Sequence, residues 1–284
     1  MRGLTAWGAI LGVVLAGGVG SAPTVPPQAG IEAKTPLQLV TEMVARENDE
    51  AAHHDRYEFI STERSDRTGG HVWTERVVET ASGRVSVLLA EDGQPISQAR
   101  QQQERKKLAG ILADPEEMER REQAKRNDEA HARVMLATLP RAFLFDNVRL
   151  ENGVWKMDFH PNPAYSPSGL EERVLHGMSG WLAIDARQLR LLHVEAALPQ
   201  DVSIGYGLLA TVRAGSHFGS DRVDEDGHWR TVHVVTDIRG KAVLFKTVCK
   251  NSDVTRTEFH YLDPGTTIAQ GVRMLEGEDV VAKN

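Results

Sequence analysis

Disulfide bonds are missing from this sequence, because Cys249 is its only cysteine. A single cysteine excludes an intramolecular disulfide, so packing has to supply the stability of the fold. Cys249 alternates with Val243, Phe245 and Thr247 in a run that is typical of a strand. This spacing predicts a small buried apolar residue rather than a reactive thiol.

Catalytic signatures are missing as well. The chain has no phosphate-binding loop and no dinucleotide-binding glycine pattern. The nucleophile pattern G-x-S-x-G begins at Gly177, but Trp181 occupies the position of its last glycine. The histidines are scattered, without a pair at zinc-ligand spacing on a helix. We therefore predict no catalytic residue, metal site or cofactor, and keep a hydrolase with a carboxylate site as an alternative.

A basic stripe is the third absent feature. The sequence has 33 Lys and Arg residues against 40 Asp and Glu residues, a formal net charge of −7, with the two signs interspersed. Nucleic-acid binding requires clustered positive charge. The charge pattern therefore excludes a nucleic-acid partner.

The N-terminus carries an apolar run that follows a single basic residue, Arg2, and extends over residues 4–19. Small residues at positions 20–22 provide a cleavage site, so the pattern predicts a secretory signal peptide over residues 1–22. A membrane anchor is the alternative, but a span usually needs about 20 strongly apolar residues. We expect a periplasmic or secreted protein with a flexible Pro-rich linker over residues 23–34.

Alternating apolar and polar residues dominate positions 141–262. Trp155, Met157 and Phe159 share one face of a predicted strand, and the polar residues between them share the other. Asn152-Gly153 and Asp226-Gly227 each separate two such runs and predict two antiparallel hairpins. The last predicted strands lie at residues 229–238, 242–249 and 255–262.

A helix and three strands precede this region. Pro36 follows the N-cap residue Thr35 and begins a helix of residues 36–52. Its apolar face has helical spacing and comprises Leu37, Val40, Met43 and Val44. Strands are predicted at residues 56–64, 71–80 and 84–90, with Glu75 and Glu79 in solvent.

Residues 97–139 interrupt the strands with a charged helical insertion. Asp114-Pro115 divides it into two helices, because Asp is an N-cap residue and Pro suits the first helical position. Its apolar residues form two patches that predict a lid over the sheet. The first comprises Leu108, Ile111 and Leu112, and the second Val134, Met135 and Leu139. A polar tail is predicted over residues 264–284.

The order of these elements carries a family resemblance. A helix, a three-strand meander, a helical insertion and a long antiparallel sheet follow one another over residues 35–262. The strand GWLAID at residues 180–185 is followed by another strand at residues 189–198. In this order and this hairpin the chain resembles the outer-membrane lipoprotein-carrier superfamily, the LolA/LolB-like fold. The resemblance implies a single domain over residues 35–263, mainly β with helices: a curved antiparallel sheet (half-barrel) with an N-terminal helix and an inserted helical lid.

The resemblance also implies a function. Members hold acyl chains or other lipids in the apolar interior, so we expect a non-enzymatic periplasmic carrier of a lipid or lipoprotein acyl chain. A curved sheet of this size can leave an apolar interior that side chains do not fill. The predicted lining residues are Phe143, Phe145, Trp155, Met157, Phe159, Leu192, Val194, Val243 and Phe245. The alternative from another class is an envelope signalling or assembly module that binds a protein partner through the sheet edge.

Overall fold

A computed structural model describes residues 34–50, 56–204, 210–225, 227–242 and 246–277. In these residues the protein is mainly β, with one large curved antiparallel sheet that is not closed into a barrel, and several helices. The fold class expected from the sequence is therefore confirmed. The predicted signal peptide and nearly all of the predicted linker lie outside the described residues, as do Asp226, Val243 and Phe245.

The N-terminal elements follow the predicted order. They are α1 (Pro36–Glu50), β1 (Arg56–Ser65), β2 (Val72–Thr80), β3 (Gly83–Glu91) and the short β4 (Gln94–Pro95). The Thr35 hydroxyl accepts a hydrogen bond from the Gln38 N–H, and the Gln38 side chain accepts one from the Thr35 N–H. This capping box begins α1. Leu37, predicted on the apolar face, is instead 50% exposed.

The insertion forms two helices, as predicted. They are α2 (Gln98–Ala113) and α3 (Pro115–Ala142). Ser97 caps α2 by accepting a hydrogen bond from the Arg100 N–H, and the chain is extended at Asp114 between the two helices. The predicted division at Asp114-Pro115 is therefore confirmed.

The C-terminal region supplies the remaining strands. These are β5 (Phe143–Glu151), β6 (Val154–Pro161), α4 (Leu170–His176), β7 (Ser179–Asp185), β8 (Leu191–Ala197), β9 (Val202–Ile204), β10 (Ala210–Val212), β11 (His217–Glu225), β12 (His228–Ala242), β13 (Lys246–Leu262) and α5 (Ile268–Glu276). The turns expected near residues 239–240 and 251–253 are wrong, because β12 and β13 continue through them as two long paired strands.

The strands are ordered β4-β3-β2-β1-β13-β12-β11-β8-β7-β6-β5, and β10 pairs with β12 and β9 beside this path. The Asn152-Gly153 hairpin joins β5 to β6, with φ of 51° and 79° as a type I′ turn requires. Gly180 in β7 lies so close to β8 that a Cβ would collide with the Glu195 carbonyl oxygen. The β7–β8 hairpin therefore needs glycine at this position.

The largest hydrophobic core lies between α1 and strands from the C-terminal region. α1 contributes Leu39, Val40, Met43 and Val44. The strands contribute Phe143, Met157, Phe159, Leu182, Ile184, Ala196, Val212 and Ile238. Met157 and Phe159 are buried while His160 is exposed, so the predicted register of this strand is confirmed.

A second core lies under α5, within the segment that we predicted to be a polar tail. That prediction is wrong, because Ile268, Val272 and Leu275 of α5 pack on Val78 of β2 and Val85 of β3. Thr267 and Gln270 form a capping box at its start, and Gly277 ends it with a φ of 82°. The tail is therefore part of the fold up to Gly277.

Candidate functional site

The predicted lining residues lie mostly in the core beneath α1. Phe143, Met157 and Phe159 belong to that core, and Phe145, Trp155 and Val194 pack against it. Leu192 is half-buried, and Val243 and Phe245 lie outside the described residues. The structure therefore brings six of the nine residues together, around the aliphatic side chains of α1.

The predicted lid residues separate into two environments. Leu108 and Ile111 are buried against α5 and the strands β2 and β3. Leu139 packs against the core beneath α1, and Met135 is 6% exposed. Leu112 and Val134 are 38% and 62% exposed. The two ends of the insertion thus rest on different cores.

A mainly apolar groove opens where the insertion meets the sheet. It has a volume of about 180 Å³ and lies between β3, α2 and α5. Its apolar walls are Val87, Leu88, Leu89, Ile96, Leu108 and Leu275, and its polar ones Gln101, Arg105 and Glu276. We call this the α2 groove. Leu108 is the one residue that it shares with the sites predicted from the sequence.

A buried ion network fastens the end of α1 to the strands. Glu47, 1% exposed, accepts hydrogen bonds from Arg190 at 3.1 and 3.2 Å and from Arg222 at 2.8 Å to each oxygen. The Leu191 N–H donates a further bond at 2.9 Å. Burial alone would raise the pKa of Glu47, but the charges of both arginines and these hydrogen bonds outweigh it, so its pKa is lowered. The carboxylate is therefore ionised and fully paired.

The Trp229 ring packs against both arginines of this network. It is 1% exposed, and its ring centroid lies 5.3 Å from the guanidinium of Arg190 and 5.7 Å from that of Arg222. The Trp229 indole N–H donates to Gln188 at 2.9 Å. Two arginines held on one ring and one carboxylate make a rigid connection between α1, the β7–β8 hairpin and the β11–β12 hairpin.

β1, β3, β12 and β13 carry a different set of side chains, part of it buried. Guanidinium groups contact aromatic rings there: Arg84 lies 5.9 Å and Arg256 5.5 Å from the Phe59 ring centroid, and Arg230 lies 5.0 Å from that of Phe259. Tyr57 contacts Phe259 edge-on at 5.8 Å. We call Tyr57, Phe59, Phe259, Arg84, Arg230 and Arg256 the arginine-aromatic cluster.

Two glutamates predicted in solvent belong beside this cluster. Glu75 and Glu79 are each 5% exposed, which corrects the prediction. Glu75 pairs with Arg67 at 2.7 Å and Glu79 with Arg84 at 2.8 Å. The arginines compensate the charges that would otherwise keep these residues in water.

Carboxylates suited to acid catalysis are not evident among the described residues. The buried glutamates there are Glu47, Glu58, Glu75, Glu79 and Glu104, and each contacts an arginine or a lysine. A general acid needs a raised pKa, whereas the pKa of Glu47 is lowered. This pairing favours structural roles for these carboxylates over the hydrolase alternative.

Histidines and aspartates alternate across four neighbouring strands. His193 contacts Asp221 at 2.6 Å, Asp221 contacts His233 at 3.2 Å, and His233 contacts Asp253 at 2.8 Å. Burial would lower the pKa of His233, but the two aspartates outweigh it and raise that pKa. No group of three or more metal-ligating side chains suited to a metal ion occurs in the described ranges.

No family model, curated protein or solved structure matches the chain. Of the helices that the structure describes, none has both the length and the apolar character of a membrane span. The lipoprotein-carrier resemblance therefore stays a prediction based on the order of elements.

Proposed function

We propose that the protein is an exported carrier that binds an apolar chain, such as the acyl chain of a lipid or lipoprotein, with the helical insertion as the cover of its site. The α2 groove is the observation that carries this proposal, because six of its nine lining residues are apolar. Small-molecule pockets usually have roughly 300–1,000 Å³, more than the groove offers. In its present volume the groove takes only the end of an acyl chain. A longer acyl chain requires α2 to move away from β3.

α2 is suited to such movement. Its buried residues are Glu104, Leu108 and Ile111, so two apolar side chains hold it to the fold. Glu104 pairs at 2.5 Å with Lys107, whose side chain is about half exposed. α1, in contrast, buries four apolar residues and the ionised Glu47. Segments with few buried apolar contacts open first, so α2 is the element that yields to a ligand.

Two matched variants test the groove. Leu89→Glu places a charge on the groove wall at a residue that is already 40% exposed, and Leu37→Glu does the same at a 50% exposed residue of α1 outside the groove. A dansyl-labelled undecanoic acid should bind about tenfold more weakly to Leu89→Glu, because the acyl chain would meet a charge. Leu37→Glu should bind it as the unaltered protein does. Equal affinities of all three proteins for the probe would show that the groove is not the binding site.

The insertion as a whole gives a second test. Replacing residues 98–138 by a Gly/Ser loop should leave a folded β domain that binds a hydrophobic dye more strongly and retains a co-purified lipid less well. Unfolding of the shortened protein would mean that the helices are core. Unchanged binding of both dye and lipid would favour the interaction module.

A protein partner at the sheet edge is the second candidate, and β5 is the observation that favours it. This strand ends the sheet order, with Leu144 45% and Leu150 42% exposed. Edge strands can pair with a strand of a partner, although the register shift between Asp146 and Arg149 weakens β5 for that purpose. Loss of a co-purified protein on replacing the exposed Leu144 by Lys would support this candidate, and continued co-purification would oppose it.

A further inference from the structure

The guanidinium of Arg256 is a buried charge that has no bonded partner among the residues that the structure describes. Arg256 lies on β13 and is 8% exposed. Within the part of the chain that the structure describes, no group makes a hydrogen bond or an ion pair with it, and its guanidinium rests only on the Phe59 ring at 5.5 Å. Burying a charge without hydrogen bonds is strongly unfavourable. A side chain in this state is a candidate for binding an anion.

The nearest carboxylates do not supply that anion. Glu63 and Glu79 act on Arg256 through their charges, but both are engaged elsewhere. Glu79 pairs with Arg84 at 2.8 Å, and Glu63 pairs with Arg67 at 2.5 Å. The hydrogen-bond donors of Arg256 therefore remain available to a molecule from solution.

The surroundings of Arg256 can accept a small acidic group with an apolar body. Ser61 stands directly opposite Arg256 in the register of β1 and β13, so its hydroxyl is on the same face. Phe59 and Phe259, whose ring centroids are 5.3 Å apart, provide an apolar wall. Arg256 itself keeps 8% of its surface exposed to solvent.

We propose that Arg256 binds the carboxylate group of an organic acid, with Ser61 as a second hydrogen-bonding partner and the rings of Phe59 and Phe259 beside the apolar part of the ligand. A guanidinium offers two parallel N–H donors that match the two oxygens of a carboxylate. The paired Glu63 and Glu79 nearby disfavour a doubly charged anion such as phosphate. This site is separate from the α2 groove and does not depend on the carrier function.

Calorimetric titration with four probes tests the site: sodium acetate, sodium dodecanoate, 1-dodecanol and inorganic phosphate. Arg256→Met removes the charge but keeps an apolar side chain, so the variant should fold. Carboxylate affinity should fall about tenfold or more in this variant, as expected for hydrogen bonds to a charged group. The exposed Arg126, which pairs with Glu122 on α3, provides the control Arg126→Met, whose affinity should not change.

The probes separate the possible sources of the carboxylate. Acetate binding that is lost in Arg256→Met supports a site for small organic acids, and binding of dodecanoate alone supports a fatty acid. Dodecanoate binding that survives in Arg256→Met but is lost in Leu89→Glu would overturn the Arg256 site and leave the carrier function standing. Preferential phosphate binding, or no binding by any probe, would also overturn it.

A second measurement avoids the variant. In the unaltered protein labelled with ¹⁵N-arginine, the Arg256 Nε signal should shift on titration with the bound carboxylate, because its hydrogen bonding changes. The signals of Arg190 and Arg222, which are already bonded to Glu47, should stay in place. An unchanged Arg256 signal at saturating carboxylate would overturn the proposal.

Discussion

Two regions of the sheet bury different kinds of side chain. Beneath α1, aliphatic and aromatic side chains fill the space, and the one buried carboxylate, Glu47, is matched by Arg190 and Arg222. Around β1 and β13 the buried set is mixed, with arginines on aromatic rings, and Arg256 has no bonded counterpart in the described part of the chain. A filled and charge-matched region supports the fold, whereas an unmatched charge and an open groove are features that ligands use. We therefore propose that α1 and its core form the scaffold, and that ligands bind at the α2 groove and at Arg256 on β13.

The largest expected effect comes from breaking the filled region at its centre. Phe159→Asp puts a charge among core residues, so it should lower the free energy of unfolding by more than the about 3–5 kcal/mol of a typical Phe→Ala change. Lys156→Asp, on the opposite face of β6 and partly exposed, should be nearly silent in urea unfolding. Equal damage from both would contradict the register of this strand.

Removing the carboxylate of the ion network should be almost as costly. Glu47→Ala removes the carboxylate that pairs with Arg190 and Arg222, and breaking a buried ion pair typically costs about 3–5 kcal/mol. Glu42→Ala on the same helix, whose partner Lys34 lies near the surface, should cost less than about 1 kcal/mol. Thermal unfolding of both variants measures the difference, and similar melting temperatures would show that the network does not hold α1.

Replacing Arg222 and replacing Arg256 should have the most clearly different effects on stability. Arg222→Met should lower the free energy of unfolding by about 3–5 kcal/mol, because Glu47 then lacks its closest cation. Arg256→Met should leave the free energy of unfolding unchanged or raise it, because it removes a buried charge that has no bonded counterion among the described residues. Chemical denaturation of the two variants gives the answer. A large loss in Arg256→Met would mean that Arg256 is a structural cation after all.

Local pattern was enough for most of the fold but not for these charges. Some patterns involve only a few neighbouring residues, and the structure confirms them: strand alternation, the Asn152-Gly153 turn and the helix division at Asp114-Pro115. Glu47 and Arg222 are 175 residues apart in the chain. Such a pair leaves no trace in spacing, because a charged residue in a strand is normally assigned to solvent.

Other differences between expectation and structure do have a local signal in the sequence. The Thr267 and Gln270 capping box and the helical spacing of Ile268, Val272 and Leu275 were present in the segment assigned to a tail. The polar residues near position 252 were assigned to a turn, but β12 and β13 pair through this stretch. Paired strands whose side chains reach water tolerate such residues.

The smallest expected effect concerns His233 and pH. Its folded pKa is raised by Asp253 and Asp221, so its contribution to stability is fully present below the unfolded pKa of about 6.5. That contribution disappears as the pH rises through the higher folded value. The difference in unfolding free energy between the unaltered protein and His233→Gln should therefore be larger at pH 5.5 than at pH 9. His260→Gln, at an exposed position of β13, serves as the control, and a difference that grows with pH would contradict the assigned pairing.

Native mass spectrometry of the protein purified from cells that express it tests the proposal that the chain carries an acyl ligand most directly. We expect an added mass equal to that of a lipid or fatty acid in the unaltered protein and in Leu37→Glu. The fraction of protein that carries this mass should be smaller in Leu89→Glu. The carrier function would be contradicted if none of the three samples carried a lipid or fatty acid and the only added mass were that of a polypeptide partner. That result would favour a partner at the edge strand β5.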